Sequence, residues 1–119
     1  MKVLRMNPGM FKFFEDEFPD RPGGCLTDLQ NMVGGYIEAH RLGNMDTGED
    51  TGLYILCNED ARLIGAAKCV HCWIGVPATL YGPVAVCRVK NGDFASVESG
   101  DLELVNRITL DDLQAAMHF

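Results

Sequence analysis

Residues 82–93 have the sequence GPVAVCRVKNGD, and this stretch decides the fold because it predicts a strand followed by a tight turn. Its three valines are β-branched and favour extended backbone. The pair Asn91-Gly92 suits a type I′ turn, in which both central residues need a positive φ. FASVES at residues 94–99 then supplies the returning strand. Since a two-residue turn joins antiparallel strands, we expect a mainly antiparallel sheet.

A second hairpin is predicted at the start of the chain. MKVLRM at residues 1–6 and MFKFFED at residues 10–16 are rich in strand formers, and the intervening NPG is a turn. Two further strands are expected at residues 36–42, YIEAHRL, and residues 53–58, LYILCN. The near-continuous apolar character of LYILCN indicates burial on both faces.

A helix is predicted at residues 27–33, TDLQNMV, whose apolar positions recur at helical spacing. Thr27 or Asp28 can serve as its N-cap residue, since either side chain can accept a free backbone N–H. Gly34-Gly35 is expected to end the helix, because glycine adopts a left-handed C-cap at little cost.

The end of the chain predicts a second helix at residues 109–119, TLDDLQAAMHF, with Thr109 as its N-cap residue. GDLELVN at residues 100–106 is expected to be strand or loop. The resulting prediction is one α+β globular domain over residues 1–119. Its mainly antiparallel sheet has the order β-β-α-β-β and then β-β-α, with the helices on one face.

Charge and composition narrow the function. The chain has 119 residues and a formal net charge of −7, which argues against general nucleic-acid binding. Its N-terminus has no apolar run typical of a secretory signal, and no segment approaches the ~20 apolar residues of a membrane span. We therefore expect a cytoplasmic protein without a membrane partner. An odd count of five cysteines argues against a disulfide framework.

KCVHCW at residues 68–73 is the strongest candidate for a metal site. Cys69 and Cys72 have the C-x-x-C spacing of half a zinc site, and Cys57 and Cys87 lie on predicted strands that could flank them. A four-thiol zinc site is one interpretation of this pattern. The other is that these are buried free thiols, which behave as small apolar side chains, beside Trp73 as a core anchor. In that case the protein has no cofactor.

Catalytic roles for the cysteines have weaker support than the zinc site or the buried thiols. WIGVP after Cys72 is a poor helix, whereas a reactive C-x-x-C usually begins one. A cysteine nucleophile paired with a histidine is an open alternative, and it predicts one thiol with fast alkylation at neutral pH. With these motifs incomplete, we expect a protein that is not an enzyme.

A family resemblance is carried by LQNMVGGYIEAHRL at residues 29–42 and LYILCNED at residues 53–60. With MKVL at the start, GDFASV later and TLDDLQ near the end, the chain resembles an uncharacterised family, domain of unknown function 3846, which is met in bacteriophages and mobile elements. AAKCVHCWIGVP at residues 66–77 departs from the family pattern. The resemblance implies a bacterial cytoplasm as the setting, and it implies no catalytic residues.

Taken together, these features predict a non-enzymatic accessory protein of a phage or mobile element. It would bind a host or phage macromolecule, with a protein as the expected partner, and could counter host defence. The alternative is a small zinc-stabilised module centred on Cys69 and Cys72. A homodimer is also predicted, because one strand face cannot bury all the aromatic residues of the first hairpin. These are Phe11, Phe13, Phe14 and Phe18.

Overall fold

The computed structural model describes residues 1–111, and within them it contains nine strands and two helices. In chain order these are β1 (Lys2–Met6), β2 (Phe14–Glu17), α1 (Leu26–Val33), β3 (Ile37–Gly43), β4 (Asp50–Asn58), β5 (Lys68–Trp73), β6 (Pro77–Tyr81), β7 (Val84–Lys90), β8 (Asp93–Ala95), α2 (Asp101–Ile108) and β9 (Leu110–Asp111). The paired strands run antiparallel. The predicted α+β class with a mainly antiparallel sheet is confirmed.

The sheet has the strand order β2-β1-β7-β4-β3-β5-β6, with β8 paired to β7 and β9 paired to β5. Strand β7 lies between β1 and β4, so that Val86 is opposite Leu4 on one side and Ile55 on the other. Because side chains alternate along a strand, Val84 and Val86 point to one face while Ala85 and Cys87 point to the opposite face. All four residues are buried, so the centre of the sheet is covered on both faces.

Two apolar cores lie on the two faces of this sheet. The first core contains Leu4, Met6, Phe13, Leu42, Leu53, Ile55, Cys57, Cys69, Val70, Cys72, Leu80, Val84, Val86, Val97, Val105 and Ile108. The second core contains Val3, Leu29, Met32, Val33, Leu56, Ala85 and Cys87. Helix α1 contributes to the second core and α2 to the first. The helices therefore lie on opposite faces, and not on one face as predicted, because both faces of the central strands are apolar and each needs a cover.

Both predicted hairpins form. Asn91 has φ 52° and Gly92 has φ 80°, as a type I′ turn requires, and β7 pairs with β8. In the first hairpin β2 begins only at Phe14, four residues later than the predicted start of its strand. The reason is that Phe13 turns into the first core, where its backbone N–H donates to Oδ1 of Asn106 at 2.8 Å.

Helix α1 ends as predicted but starts differently. Gly34 adopts the left-handed conformation with φ 83°, and its N–H donates to the carbonyl of Gln30. At the other end the N-cap residue is Cys25, so the assignment of that role to Thr27 or Asp28 was wrong. Asp28 lies in the first helical turn, and its carboxylate pairs with Arg21 at 3.1 Å.

Residues 100–106 were predicted to be strand or loop, and this was wrong, since α2 covers Asp101–Ile108. The helical signal is weak because only Val105 and Ile108, one turn apart, are both apolar and buried. Thr109 is the C-cap residue of α2, and the residues that follow it, Leu110–Asp111, are a strand, so the predicted N-cap role of Thr109 was wrong. The chain continues as β9, and the rest of that predicted helix, residues 112–119, lies outside the described residues. Neither described helix is long and apolar enough to cross a membrane.

An ion pair fixes the start of α2 against the sheet. Arg88 on β7 donates two hydrogen bonds to Asp101, from Nε at 2.9 Å and from Nη2 at 2.8 Å. The backbone N–H of Glu98 also donates to this carboxylate at 2.7 Å. Burial alone would raise the pKa of Asp101, but these hydrogen bonds and the charge of Arg88 outweigh burial and lower the pKa below its ordinary value.

Replacing Asp101 by Asn should lower the free energy of unfolding by about 2 kcal/mol at neutral pH, because an amide nitrogen would face N–H donors. We expect this loss of stability to be smaller than the loss from breaking a fully buried ion pair, since the Arg88 side chain is 23% exposed. The contribution of a carboxyl with a lowered pKa is present above its unfolded pKa. It is lost as the pH falls below about 4, so the difference between variant and wild type should shrink there.

Denaturant unfolding at neutral and acidic pH measures this difference. Glu98→Gln is the matched control, because that carboxylate is 52% exposed while it contacts Arg88 and Lys90. We expect it to change the stability by less than about 0.5 kcal/mol. Equal stabilities of Asp101→Asn and wild type at neutral pH would contradict the role of the pair.

Candidate functional site

KCVHCW forms strand β5. The register with β6 shifts between Lys68 and Val70, and such a bulge interrupts the alternation of side chains. As a result Cys69 and Cys72 both lie in the first core, although they are an odd number of positions, three, apart in the strand. His71 is partly buried, and its Nδ1 lies 2.9 Å from Oγ1 of Thr79.

The four thiols proposed as zinc ligands are divided between the two cores. Cys57, Cys69 and Cys72 belong to the first core, whereas Cys87 belongs to the second. The sheet therefore separates Cys87 from the other three, and the structure does not bring the proposed set together. The zinc-stabilised module centred on Cys69 and Cys72 stays a prediction, without Cys87 as a ligand.

Burial makes three of these thiols weak acids. It raises the pKa of Cys57 to about 11, with a further contribution from the charge of Glu38. Burial likewise raises the pKa of Cys87 to about 12. For Cys72 burial and then the neighbouring Cys57 and Cys69 raise the pKa to about 12. Because the thiolate is the nucleophile, these side chains are poorly suited to attack a substrate at neutral pH.

Trp73 joins β5 to the rest of the sheet. Within residues 1–111 the ladder between β3 and β5 has one register pair, Gly43 opposite Trp73. The indole packs so closely on this glycine that a Cβ built there would lie 2.5 Å from Cδ1 of Trp73. Gly48 also lies under the ring. Trp73 is partly buried, and it anchors the strand that carries the cysteines.

A second cluster of side chains that could bind a metal ion was not predicted from the sequence. Glu38 and His40 on β3 and Cys57 on β4 place one oxygen, one nitrogen and one sulfur within 4.8 Å of one another. Nε2 of His40 lies 3.2 Å from Oε1 of Glu38. Among the described side chains this is the one group of three with the composition of a metal site.

The available sequence signal for this cluster was the i, i+2 spacing of Glu38 and His40 on a predicted strand. Cys57 is 19 residues from Glu38 in sequence, and it becomes the cross-strand neighbour of that residue only through the β3–β4 register. A cavity of about 120 Å³ adjoins the cluster, and its walls include Glu38, Cys57 and Tyr81. At roughly 30 Å³ per molecule it could accommodate a few waters.

The chain between β4 and β5 forms an ordered turn, which we call the 59–65 turn. Asn58, at the end of β4, accepts the N–H of Asp60 on Oδ1 at 2.8 Å and the N–H of Ala61 on its carbonyl at 3.1 Å. Its Nδ2 donates to the carbonyl of Gly34 at 3.2 Å. Further backbone hydrogen bonds close the turn, from Ile64 to Asp60 and from Gly65 to Arg62.

The 59–65 turn presents two apolar side chains to the outside. Leu63 is 86% exposed and Ile64 is 67% exposed. Glu59 and Asp60 are exposed in the same turn, and Arg62 lies over the ring of Tyr81 at 5.3 Å. The surface of the 59–65 turn therefore combines two exposed apolar side chains, Leu63 and Ile64, with two exposed carboxylates, Glu59 and Asp60.

The aromatic residues of the first hairpin are divided between the interior and the surface. Phe13 is buried in the first core, and Phe18 packs against the second core. Phe11 is 69% exposed, and Phe14 is partly buried beneath the Arg5 guanidinium at 5.7 Å. The four rings thus do not form one exposed patch, and the homodimer stays a prediction.

Comparison with known proteins identifies a family. A family model described as a domain of unknown function (DUF3846) matches residues 1–116. This range includes residues 66–77, which the resemblance had set apart from the family pattern. No curated protein and no solved structure matches the chain.

Thiol labelling at neutral pH should distinguish Cys25 from the other four cysteines. Cys25 is partly exposed and the others are buried, so one thiol should react quickly in the native protein and all five in denaturant. Cys25→Ser should remove the fast phase in an assay with a chromogenic disulfide. A fast phase that survives this substitution would indicate a reactive buried thiol, as a cysteine nucleophile requires.

Gly43→Ala should destabilise the protein by about 1–3 kcal/mol, because the new methyl group forces Trp73 out of position. The single tryptophan allows the displacement to be followed by its fluorescence, alongside denaturant unfolding. In a Trp73→Ala background most of the cost should disappear, since the clashing ring is gone. An equal cost in both backgrounds would mean that the ring does not limit this site.

Proposed function

The chain belongs to the DUF3846 family, and we propose that it is a non-enzymatic accessory protein of a bacteriophage or mobile element. It acts by binding a protein of the bacterial host or of the phage. The observation that carries the proposal is the exposure of Leu63 and Ile64 on the 59–65 turn. Countering host defence is the biological role that we propose for this binding.

Order and exposure together support binding at the 59–65 turn. Single exposed apolar side chains are common on protein surfaces, but adjacent ones on a constrained turn are suited to a partner. The hydrogen bonds that Asn58 accepts from the backbone N–H groups of Asp60 and Ala61 already order the turn, so little conformational entropy is lost on binding. The partner surface should contain an apolar pocket that accepts Leu63 and Ile64.

The negative charge of the 59–65 turn indicates which side chains should surround the apolar pocket of the partner. Glu59 and Asp60 are exposed in this turn, and the whole chain has a formal net charge of −7. A basic rim around the partner's pocket would complement these carboxylates and accelerate association. We therefore propose a protein partner with an apolar pocket bordered by Lys and Arg side chains.

The absence of enzymatic activity is proposed on the chemistry of the thiols. Burial raises the pKa of Cys57, Cys72 and Cys87, so these thiols remain protonated at neutral pH. The phage or mobile-element setting, and with it the bacterial cytoplasm, rests on the family resemblance.

The double variant Leu63→Ser/Ile64→Ser should lose the partner while it keeps the fold. Both side chains are largely exposed, so the stability should change by less than about 0.5 kcal/mol. Burial of two such side chains at an interface contributes about 3 kcal/mol or more, which corresponds to roughly a hundredfold change in Kd. We expect immobilised wild-type protein to retain the partner from bacterial lysate, and calorimetry with the purified partner would then give the Kd values.

Val76→Ser is the matched control, because Val76 is also apolar and 59% exposed but lies in the β5–β6 connection. It should retain the partner. Glu59→Gln/Asp60→Asn should slow association at low salt and have less effect at high salt. Equal retention by wild type and Leu63→Ser/Ile64→Ser would contradict the proposed surface. A wild-type chain that retains no protein but turns over a small molecule would contradict the proposed function.

A further inference from the structure

We propose that Glu38, His40 and Cys57 form a zinc site with one coordination position open to the adjoining cavity. This site differs from the sequence-predicted one, and it is separate from the proposed binding by Leu63 and Ile64. Its ligands come from two neighbouring strands, so it would join β3 to β4 at the end of the sheet near the 59–65 turn. The proposal rests on the geometry of the strands, the separation of the donor atoms and the chemistry of the set.

The strand geometry brings the three residues together on one face. Glu38 is directly opposite Cys57 in the antiparallel β3–β4 ladder, and His40 is opposite Ile55. Side chains two residues apart share a face, so Glu38 and His40 lie side by side. Directly opposed side chains have Cβ atoms about 5 Å apart, close enough for their ends to meet. Backbone hydrogen bonds therefore hold the three ligands on a rigid scaffold.

The donor atoms have separations that zinc could accommodate. A tetrahedral ion with Zn–N and Zn–O bonds near 2.1 Å places its nitrogen and oxygen ligands about 3.4 Å apart. Nε2 of His40 and Oε1 of Glu38 lie 3.2 Å apart. The sulfur of Cys57 lies within 4.8 Å of a ring nitrogen of His40 and of a carboxylate oxygen of Glu38, so zinc would have to draw this thiol somewhat closer to the other two ligands.

The chemistry of the three ligands, Glu38, His40 and Cys57, favours zinc over calcium and magnesium. A thiolate with an imidazole suits zinc, whereas calcium and magnesium prefer sites made of oxygen alone. One carboxylate and one thiolate neutralise the charge of Zn²⁺, while His40 binds as the neutral ring. Binding forms a Zn–S bond and breaks the S–H bond of Cys57, and the released proton passes to solvent. The buried thiol otherwise keeps this proton, because burial raises its pKa to about 11.

Three protein ligands leave a fourth position for an outside group. The cavity of about 120 Å³ borders both Glu38 and Cys57, and Thr79 and Tyr81 lie across it. Such a volume has room for a water molecule bound to the metal. Structural zinc sites usually have four protein ligands, whereas sites with three keep a position for water or a ligand.

Metal binding to the purified full chain tests the proposal. After removal of metal and reduction, wild-type protein should bind about one equivalent of Zn²⁺, measured by elemental analysis and by competition with a chromogenic chelator. Cobalt(II) should give the absorption bands of a tetrahedral ion together with a sulfur-to-cobalt charge-transfer band. His40→Gln and Glu38→Gln should lower the zinc affinity at least about tenfold. Cys57→Ala should abolish the charge-transfer band.

Matched thiol variants distinguish this site from the predicted one. Cys72→Ala and Cys87→Ala remove buried thiols outside the cluster, and both should keep the zinc affinity and the cobalt spectrum. His40 is partly buried and Glu38 is exposed, so their variants should fold, with metal-free melting as the check. Zinc binding below about a tenth of an equivalent in wild type would overturn the proposal. The proposal would also be overturned if Cys72→Ala abolished zinc binding while His40→Gln left it intact.

Discussion

The constraint on which the rest of the structure depends is the burial of β7 on both faces. Val84 and Val86 point into the first core while Ala85 and Cys87 point into the second, and β1 and β4 pair with its two edges. A strand in this position has no face left for solvent, so each side of the sheet must be covered by another layer. Helix α1 covers one side. Helix α2 and the β5–β6 hairpin contribute residues to the core on the other side.

Peripheral elements attach to this centre through few specific contacts. The start of α2 is fixed to β7 by the Arg88–Asp101 pair, and β5 meets β3 where Trp73 packs on Gly43. Asn58 links the end of β4 to both the C-terminus of α1 and the 59–65 turn. These polar and close contacts determine where the surface features lie. They place the exposed turn and the Glu38–His40–Cys57 cluster near the same end of the β3–β4 hairpin.

The two candidate metal sites differ in how visible they are in a sequence. Cys69 and Cys72 can be recognised as candidate ligands because the C-x-x-C spacing is local in sequence. The spacing does not determine which residues surround the thiols. In the fold they enter an apolar core, and Cys87 lies across the sheet from them. Glu38 and Cys57 carry no recognisable spacing, since 19 residues separate them. They become neighbours because the β3–β4 register pairs them, and a register depends on the packing of whole strands.

The sequence by itself determined the features that depend on local backbone preferences. The Asn91-Gly92 turn, the glycine end of α1, most strands and the α+β class all follow from residues close together in the chain. The family was also identified from the sequence alone, through stretches distributed along the chain. Only the tertiary structure decided the strand order, the placement of the helices on opposite faces, and the helical state of residues 101–108. It also decided which side chains meet at the candidate site. The physical reason is that these features depend on which apolar faces bury one another, and such contacts join residues far apart in sequence.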